Sequence, residues 1–259
     1  NAPVALNGSL KIEETRAVPG ISAKLNTIAK IRGEYVIASK YDFWFLNADL
    51  SPKFHAAMDP WFSANVLDLV GITALDKDAY VLMGSNKSLL RVRQNPEADD
   101  VQGWPNFTAG RSHIEAVGGL GRARIDTERA KFSYIHSSAT DGRYVFMATV
   151  PDNKNKKQFV ISKALMKDWM LSGEFVPTAE MLKKDRSLGE LYVTGMVYED
   201  GKLYAVSKNW NVLVVIDVAQ EAVVEAWGLP EELTDIRGLV KDGSTFEVID
   251  ANRVVKLTM

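Results

Sequence analysis

Chemistry in this 259-residue chain has few special groups to work with, namely three histidines and no cysteine, beside 31 lysines and arginines and 33 acidic residues. Without cysteine, thiol catalysis, disulfides, iron–sulfur clusters and thiolate zinc sites are excluded. His55, His113 and His136 show no metal-ligand spacing, so neither a metal centre nor a cofactor is expected. Arg237 is the strongest candidate, because its guanidinium offers a two-pronged fork to a carboxylate or phosphate. Beside it stand Asn26, His136 and Thr194, which could add an amide, an imidazole and a hydroxyl if the fold brought them to one level. No carboxylate or second imidazole accompanies His136 at that level, so no catalytic residue is assigned.

What would gather residues so far apart is a repeat. Five segments share a small or apolar strand, a tight turn, an aromatic and an alternating strand. They are NTIAKIRGEYVIAS (26–39), GITALDKDAYVLMG (71–84), HSSATDGRYVFMAT (136–149), TGMVYEDGKLYAVS (194–207) and RGLVKDGSTFEVID (237–250). Tyr35, Tyr80, Tyr144, Tyr204 and Phe246 are the aromatic anchors. Asp141-Gly142, Asp200-Gly201 and Asp242-Gly243 supply the positive φ that two-residue hairpins need. A third strand follows each hairpin, and a weaker fourth follows four of them, near KFHAAM, Val101 to Phe107, SGEFVP and AVVEAW.

The fifth repeat ends with the chain, while Ser9 to Arg16 form an orphan strand ahead of the first. The expectation is an all-β, five-bladed β-propeller of four-stranded antiparallel blades, one domain over 1–259, closed by the N-terminal strand completing the last blade. Short helices are expected at 163–171 and from Thr178 to Lys184.

The segment SKNWNVLVVIDVAQEAVVEAWGLP (207–230) resembles the blade pattern of bacterial YncE-like and NHL-like propeller repeat proteins. That resemblance extends along the chain at the level of blade pattern. It implies a fold shared by exported binding or scaffold proteins, with lyases and lactonases among neighbouring families. Lactonase-type propellers hold a divalent metal with inward Glu, Asp and Asn, and only Asn26 stands at the corresponding level here.

On the repeat alignment, Asn26, His136, Thr194 and Arg237 open the inner strands and face the central channel, with Gly71 at the fifth place. Either they receive a polar or anionic ligand, or they hold channel water and each other, with Asp235 neutralising Arg237. Turns on the same face carry Tyr41, Asp42, Trp210 and Asn211, a rim suited to contact or, for the aromatics, to packing between blades. The functional expectation is a non-enzymatic binding or scaffold propeller for a small polar or anionic ligand or a protein. The alternative is a hydrolase or lyase working in the channel.

A net charge of −2 argues against nucleic acid as a partner. No apolar run reaches the roughly 18 residues of a membrane-spanning helix. A monomer outside the cytoplasm, periplasmic or secreted, is expected. Gly118 to Gly121 and the lysines at 154, 156 and 157 are read as a loop and a solvated hairpin tip.

Overall fold

The computed structural model describes residues 1–40, 42–57, 68–74, 79–86, 89–95, 111–116 and 134–259. Hairpins set its geometry. Arg32-Gly33 and Asp200-Gly201 both take positive φ at consecutive positions (52° and 80°; 48° and 80°), so each turns the chain within two residues. Flanking strands then pair in register, with Lys30 opposite Tyr35 and Val197 opposite Tyr204.

Sheet I comprises Thr27–Ile31, Glu34–Ala38, Asp42–Leu46 and Pro52–Ala57. Sheet II comprises Leu69–Ala74, Ala79–Gly84, Leu89–Asn95 and Arg111–Ala116. Sheet III comprises Ile135–Thr140, Tyr144–Thr149, Ile161–Leu165 and Leu171–Phe175. Sheet IV is built on Val193–Glu199, Lys202–Ser207, Val212–Asp217 and Ala222–Gly228. Sheet V comprises Ile236–Asp242, Thr245–Asp250, Arg253–Thr258 and the N-terminal strand Lys11–Ala17. The first strands of the sheets touch one another in closed order, I to II to III to IV to V and back to I, as a propeller requires.

Sheet IV breaks the uniformity. Gly8–Ser9 and Thr178–Ala179 both pair in parallel with Ala222–Gly228, giving six strands of mixed direction. The expectation of a five-bladed propeller of four-stranded antiparallel blades is therefore corrected. Among the described residues four blades have that form, and the remaining sheet is six-stranded and mixed. The added strands cover an edge that would otherwise present unpaired backbone groups. The N-terminal arm is sewn along it, with Ala5 N–H donating to Met181 O and Asn7 N–H to Ala226 O.

Closure runs through Lys11–Ala17 against Arg253–Thr258, antiparallel, two residues later than the orphan strand read from the sequence began. Leu10 is buried, whereas Ile12 is 40% exposed. A buried clip joins the ends of the ring: Glu247 of sheet V accepts from the Tyr35 hydroxyl of sheet I and, at 2.8 Å, from Arg16 Nη2 of the closing strand. Burial, with the Glu247 carboxylate beside it, pushes the Tyr35 hydroxyl up to about 12.

The aromatic anchors do pack between sheets. Tyr80 meets Phe45 across sheets I and II at 5.2 Å, and Tyr204 meets Phe246 across sheets IV and V at 5.8 Å. Neither expected helix forms. Residues 163–165 continue the strand Ile161–Leu165, and Thr178–Ala179 is a strand, because cross-strand pairing supplies hydrogen bonds those short segments could not satisfy alone. One 3₁₀ turn, Leu188–Glu190, is capped by Ser187 and Glu190. The fourth strand of sheet II is Arg111–Ala116, whereas Val101 to Phe107 lie outside the described residues, as do Gly118 to Gly121. Among the described residues no helix is long and apolar enough to cross a membrane.

Candidate functional site

The site stands where the inner strands begin. Asn26, Asp68, Tyr134, Tyr192 and Asp235 each immediately precede an inner strand, so the ring closure delivers all five to one face. Asn26, Asp68, Tyr134 and Tyr192 line a cavity of about 360 Å³ at the channel mouth, together with His136, Arg237, Lys40, Ser85 and Val70. Asp235 joins them through Arg237, whose Nε donates to Asp235 Oδ1 at 3.1 Å.

β-Bulges interrupt the inner strands where they leave the mouth. The inner strands of sheets II, III, IV and V shift register between Leu69 and Gly71, Ile135 and Ser137, Val193 and Gly195, and Arg237 and Leu239. A repeat alignment that assumes even alternation therefore slips at these points. Asn26, His136 and Arg237 come together as expected. Thr194 does not line the mouth. It is buried, and its hydroxyl donates to Ile236 O, tying sheet IV to sheet V. Nor does Gly71, where an added Cβ would strike Ser138 Oγ at 1.8 Å, so it serves close sheet contact.

Gly238 has a similar steric duty. It holds φ at +73°, and a Cβ there would fall 2.7 Å from Ile28 N. Below the mouth, a second cavity of about 540 Å³ continues down the axis between the inner strands. Asn26 and Thr27, His136 and Ser137, and Arg237 and Gly238 divide between the upper and lower cavities, one residue to each.

The mouth is electropositive. Lys24 Nζ lies 3.1 Å from Asp235 Oδ2, and Lys208 Nζ lies 5.4 Å over the Tyr192 ring. Burial alone would raise the Asp235 carboxyl, yet the Lys24 hydrogen bond and the Arg237 charge hold it below the usual carboxylate range. Burial lowers Lys208, and the neighbouring charges of Arg237 and Lys24 lower it further. Burial, then Arg237 and Lys208, push His136 down to about 4 against the weaker pull of Asp68. The imidazole is thus neutral at neutral pH, its Nε2 2.7 Å from the Tyr192 hydroxyl. Burial raises the Tyr192 hydroxyl above the ordinary phenol range, with Arg237 opposing.

Apart from that Nε contact with Asp235, Arg237 makes no further hydrogen bond or ion pair among the described residues. Its terminal nitrogens therefore remain available to an acceptor in the mouth.

Of the expected rim, Tyr41 lies outside the described residues. Asp42 Oδ1 pairs with His55 Nε2 at 2.9 Å. Trp210 packs against the core between sheets III and IV, under Arg186 at 5.1 Å, with Nε1 donating to Glu190 O. Asn211 takes φ of 43° and clamps the following loop by donating to Pro230 O and Leu233 O. Packing and turn-making account for these last two. Sequence reasoning passed over Asp68, Tyr134 and Tyr192. Their shared signal was a polar or aromatic residue directly before an inner strand, visible once bulges are allowed for.

No protein-family model and no curated protein matches the chain. Solved structures do. Glutaminyl cyclase of Myxococcus xanthus is similar over 99% of this chain and 97% of its own, at 12% identity and a TM-score of 0.64. A luciferin-regenerating enzyme is similar over 95% of each chain, at 10% identity and a TM-score of 0.55. The PQQ-bound aldose sugar dehydrogenase of Streptomyces coelicolor is similar over 98% of this chain and 99% of its own, at 11% identity and a TM-score of 0.53. At such identities the likeness extends to the propeller fold and no further.

Proposed function

We propose that the protein binds a small carboxylate or phosphate at the mouth of its central channel. Arg237 is the anchor, and its terminal nitrogens, turned to no partner among the described residues, are the observation that carries the reading. Charge supports it. Arg237, Lys208, Lys24 and Lys40 against Asp235 and Asp68 give four positive and two negative groups at the mouth, +2 in a chain whose net charge is −2. An anion there gains charge-assisted hydrogen bonds in a half-buried site, where they exceed their worth in open water.

The test is calorimetric titration at low salt with sodium acetate and with inorganic phosphate. The parent should bind one or both saturably, and Arg237→Met should bind neither while keeping its fold. Equal binding by parent and variant would refute the reading.

A second reading, a hydrolase or lyase acting in the same mouth, is favoured by the Tyr192–His136 contact. The neutral imidazole, in contact with the Tyr192 hydroxyl at Nε2, can orient that hydroxyl towards a substrate held on Arg237. All three structural neighbours reported above carry enzyme names. Turnover of an ester or lactone that His136→Asn abolishes would favour this reading over binding alone.

A further inference from the structure

Five large apolar or aromatic side chains stand out as exposed among the described residues, namely Leu6, Ile12, Tyr134, Met170 and Met259. Tyr134 alone of them lines the channel mouth, where it shares the cavity with Arg237. The residue is 48% exposed, although its backbone is hydrogen-bonded on both sides. Val150 N–H donates to Tyr134 O at 2.8 Å, and the adjacent Ile135 N–H donates to Ser85 O at 2.9 Å. An aromatic residue on an anchored backbone, with half its surface uncovered among the described residues, therefore lines a pocket whose other principal feature is a cationic fork. Aromatic rings leave such faces uncovered at a cost, and offset stacking of a flat ring relieves it. Val70, which lines the same cavity, adds apolar surface below.

We infer that the ligand is an aromatic carboxylate, its ring stacked on Tyr134 and its anionic group on the terminal nitrogens of Arg237. This rests on the anion-binding reading above and narrows it from any small anion to a ring acid. A cavity of about 360 Å³ accommodates a single substituted ring with its carboxylate. A dry aliphatic acid would satisfy the guanidinium and leave the phenol face bare. Tyr192 makes a poor alternative platform, because its ring is already faced by Lys208 at 5.4 Å and its hydroxyl is held by His136.

The experiment is a titration of the full chain with sodium benzoate and sodium acetate, in the parent and in Tyr134→Ala, Tyr134→Phe and Arg237→Met. Benzoate should bind the parent about tenfold more tightly than acetate, the size of one aromatic stacking contact. Tyr134→Ala should lose that preference and keep acetate binding, and Tyr134→Phe should retain the preference, since the face and not the hydroxyl makes the contact. Arg237→Met should lose both acids. Equal affinity for the two acids in the parent, or a preference that survives Tyr134→Ala, overturns the inference and leaves the anion site standing. Binding that ignores Arg237→Met overturns the anion site itself.

Discussion

Replacing Tyr35 with Phe removes one oxygen from the clip that joins the two ends of the ring. Glu247 is only 6% exposed, and its carboxylate is held by the Tyr35 hydroxyl and by Arg16 Nη2. The Phe ring keeps the packing of Tyr35, itself 2% exposed, against the apolar core of sheet I, so the change is confined to the hydroxyl's bonds, one to Glu247 and a long one from Arg16 Nη2 at 3.5 Å. A hydrogen bond to a charged group contributes about 1.5–3 kcal/mol, and here the carboxylate loses one of two partners in a site closed to water. Each kcal/mol moves the midpoint of a chain this long by about 2–4 °C, so Tm should fall by about 3–12 °C. Thermal unfolding followed by circular dichroism measures it. The clip has an alkaline signature as well. Its folded-state hydroxyl, pushed up to about 12, sits above the ordinary phenol value of 10, so the fold favours the neutral form. That stabilisation is complete below pH 10 and is lost as pH rises towards 12, and Tyr35→Phe should lack this loss. Coupling between Tyr35→Phe and Glu247→Gln in a double-mutant cycle isolates the pair. A Tm within about 1 °C of the parent would refute the idea that this contact holds the ring shut.

Deleting residues 1–17 strips the closing strand and the arm from sheet IV, removes Leu10 from the core, and should abolish cooperative unfolding in urea. Gly238→Ala drives a Cβ against the Ile28 backbone at a left-handed φ, and should lower the unfolding free energy, read from urea titration, by more than the roughly 1 kcal/mol of an ordinary substitution. His136 makes stability fall in acid: its pKa is depressed from 6.5 to about 4, so its neutral form is favoured in the fold. Stability is intact above pH 6.5 and declines as pH drops to about 4, by about 3 kcal/mol, and His136→Asn should flatten that window in urea titrations.

The repeat was legible because hairpin chemistry is local. Asp-Gly turns and the aromatic following each of them placed the second strands correctly, and Tyr35, Tyr80, Tyr144, Tyr204 and Phe246 do occupy matching pairings beside the third strands. The ring order followed from that periodicity. The six-stranded sheet was not legible, because parallel pairing of Gly8–Ser9 and Thr178–Ala179 with Ala222–Gly228 depends on contacts far apart in sequence and on strands too short to show a pattern. For the candidate cavity, the repeat placed Asn26, His136 and Arg237 together, while Thr194, at the same bulge position as His136, turns its hydroxyl to Ile236 O, a choice no composition rule marks. For Trp210, in a turn, the sequence left rim contact and packing both open. Arg186 and Glu190, brought over it by the capped turn at Leu188–Glu190, supply packing partners that only the fold brings together.

An anion on Arg237 would lie beside His136, whose imidazole can report it. A proton–nitrogen NMR titration of the histidine side chains, run with and without inorganic phosphate, reads its pKa directly. Without phosphate, His136 should titrate near 4, held down by burial and by the charges of Arg237 and Lys208. Phosphate keeps at least one negative charge over this range, so its binding should offset those charges and raise the His136 pKa. In Arg237→Met the starting value should already be higher and should not respond to phosphate. A His136 pKa that phosphate leaves unmoved in the parent would contradict the account.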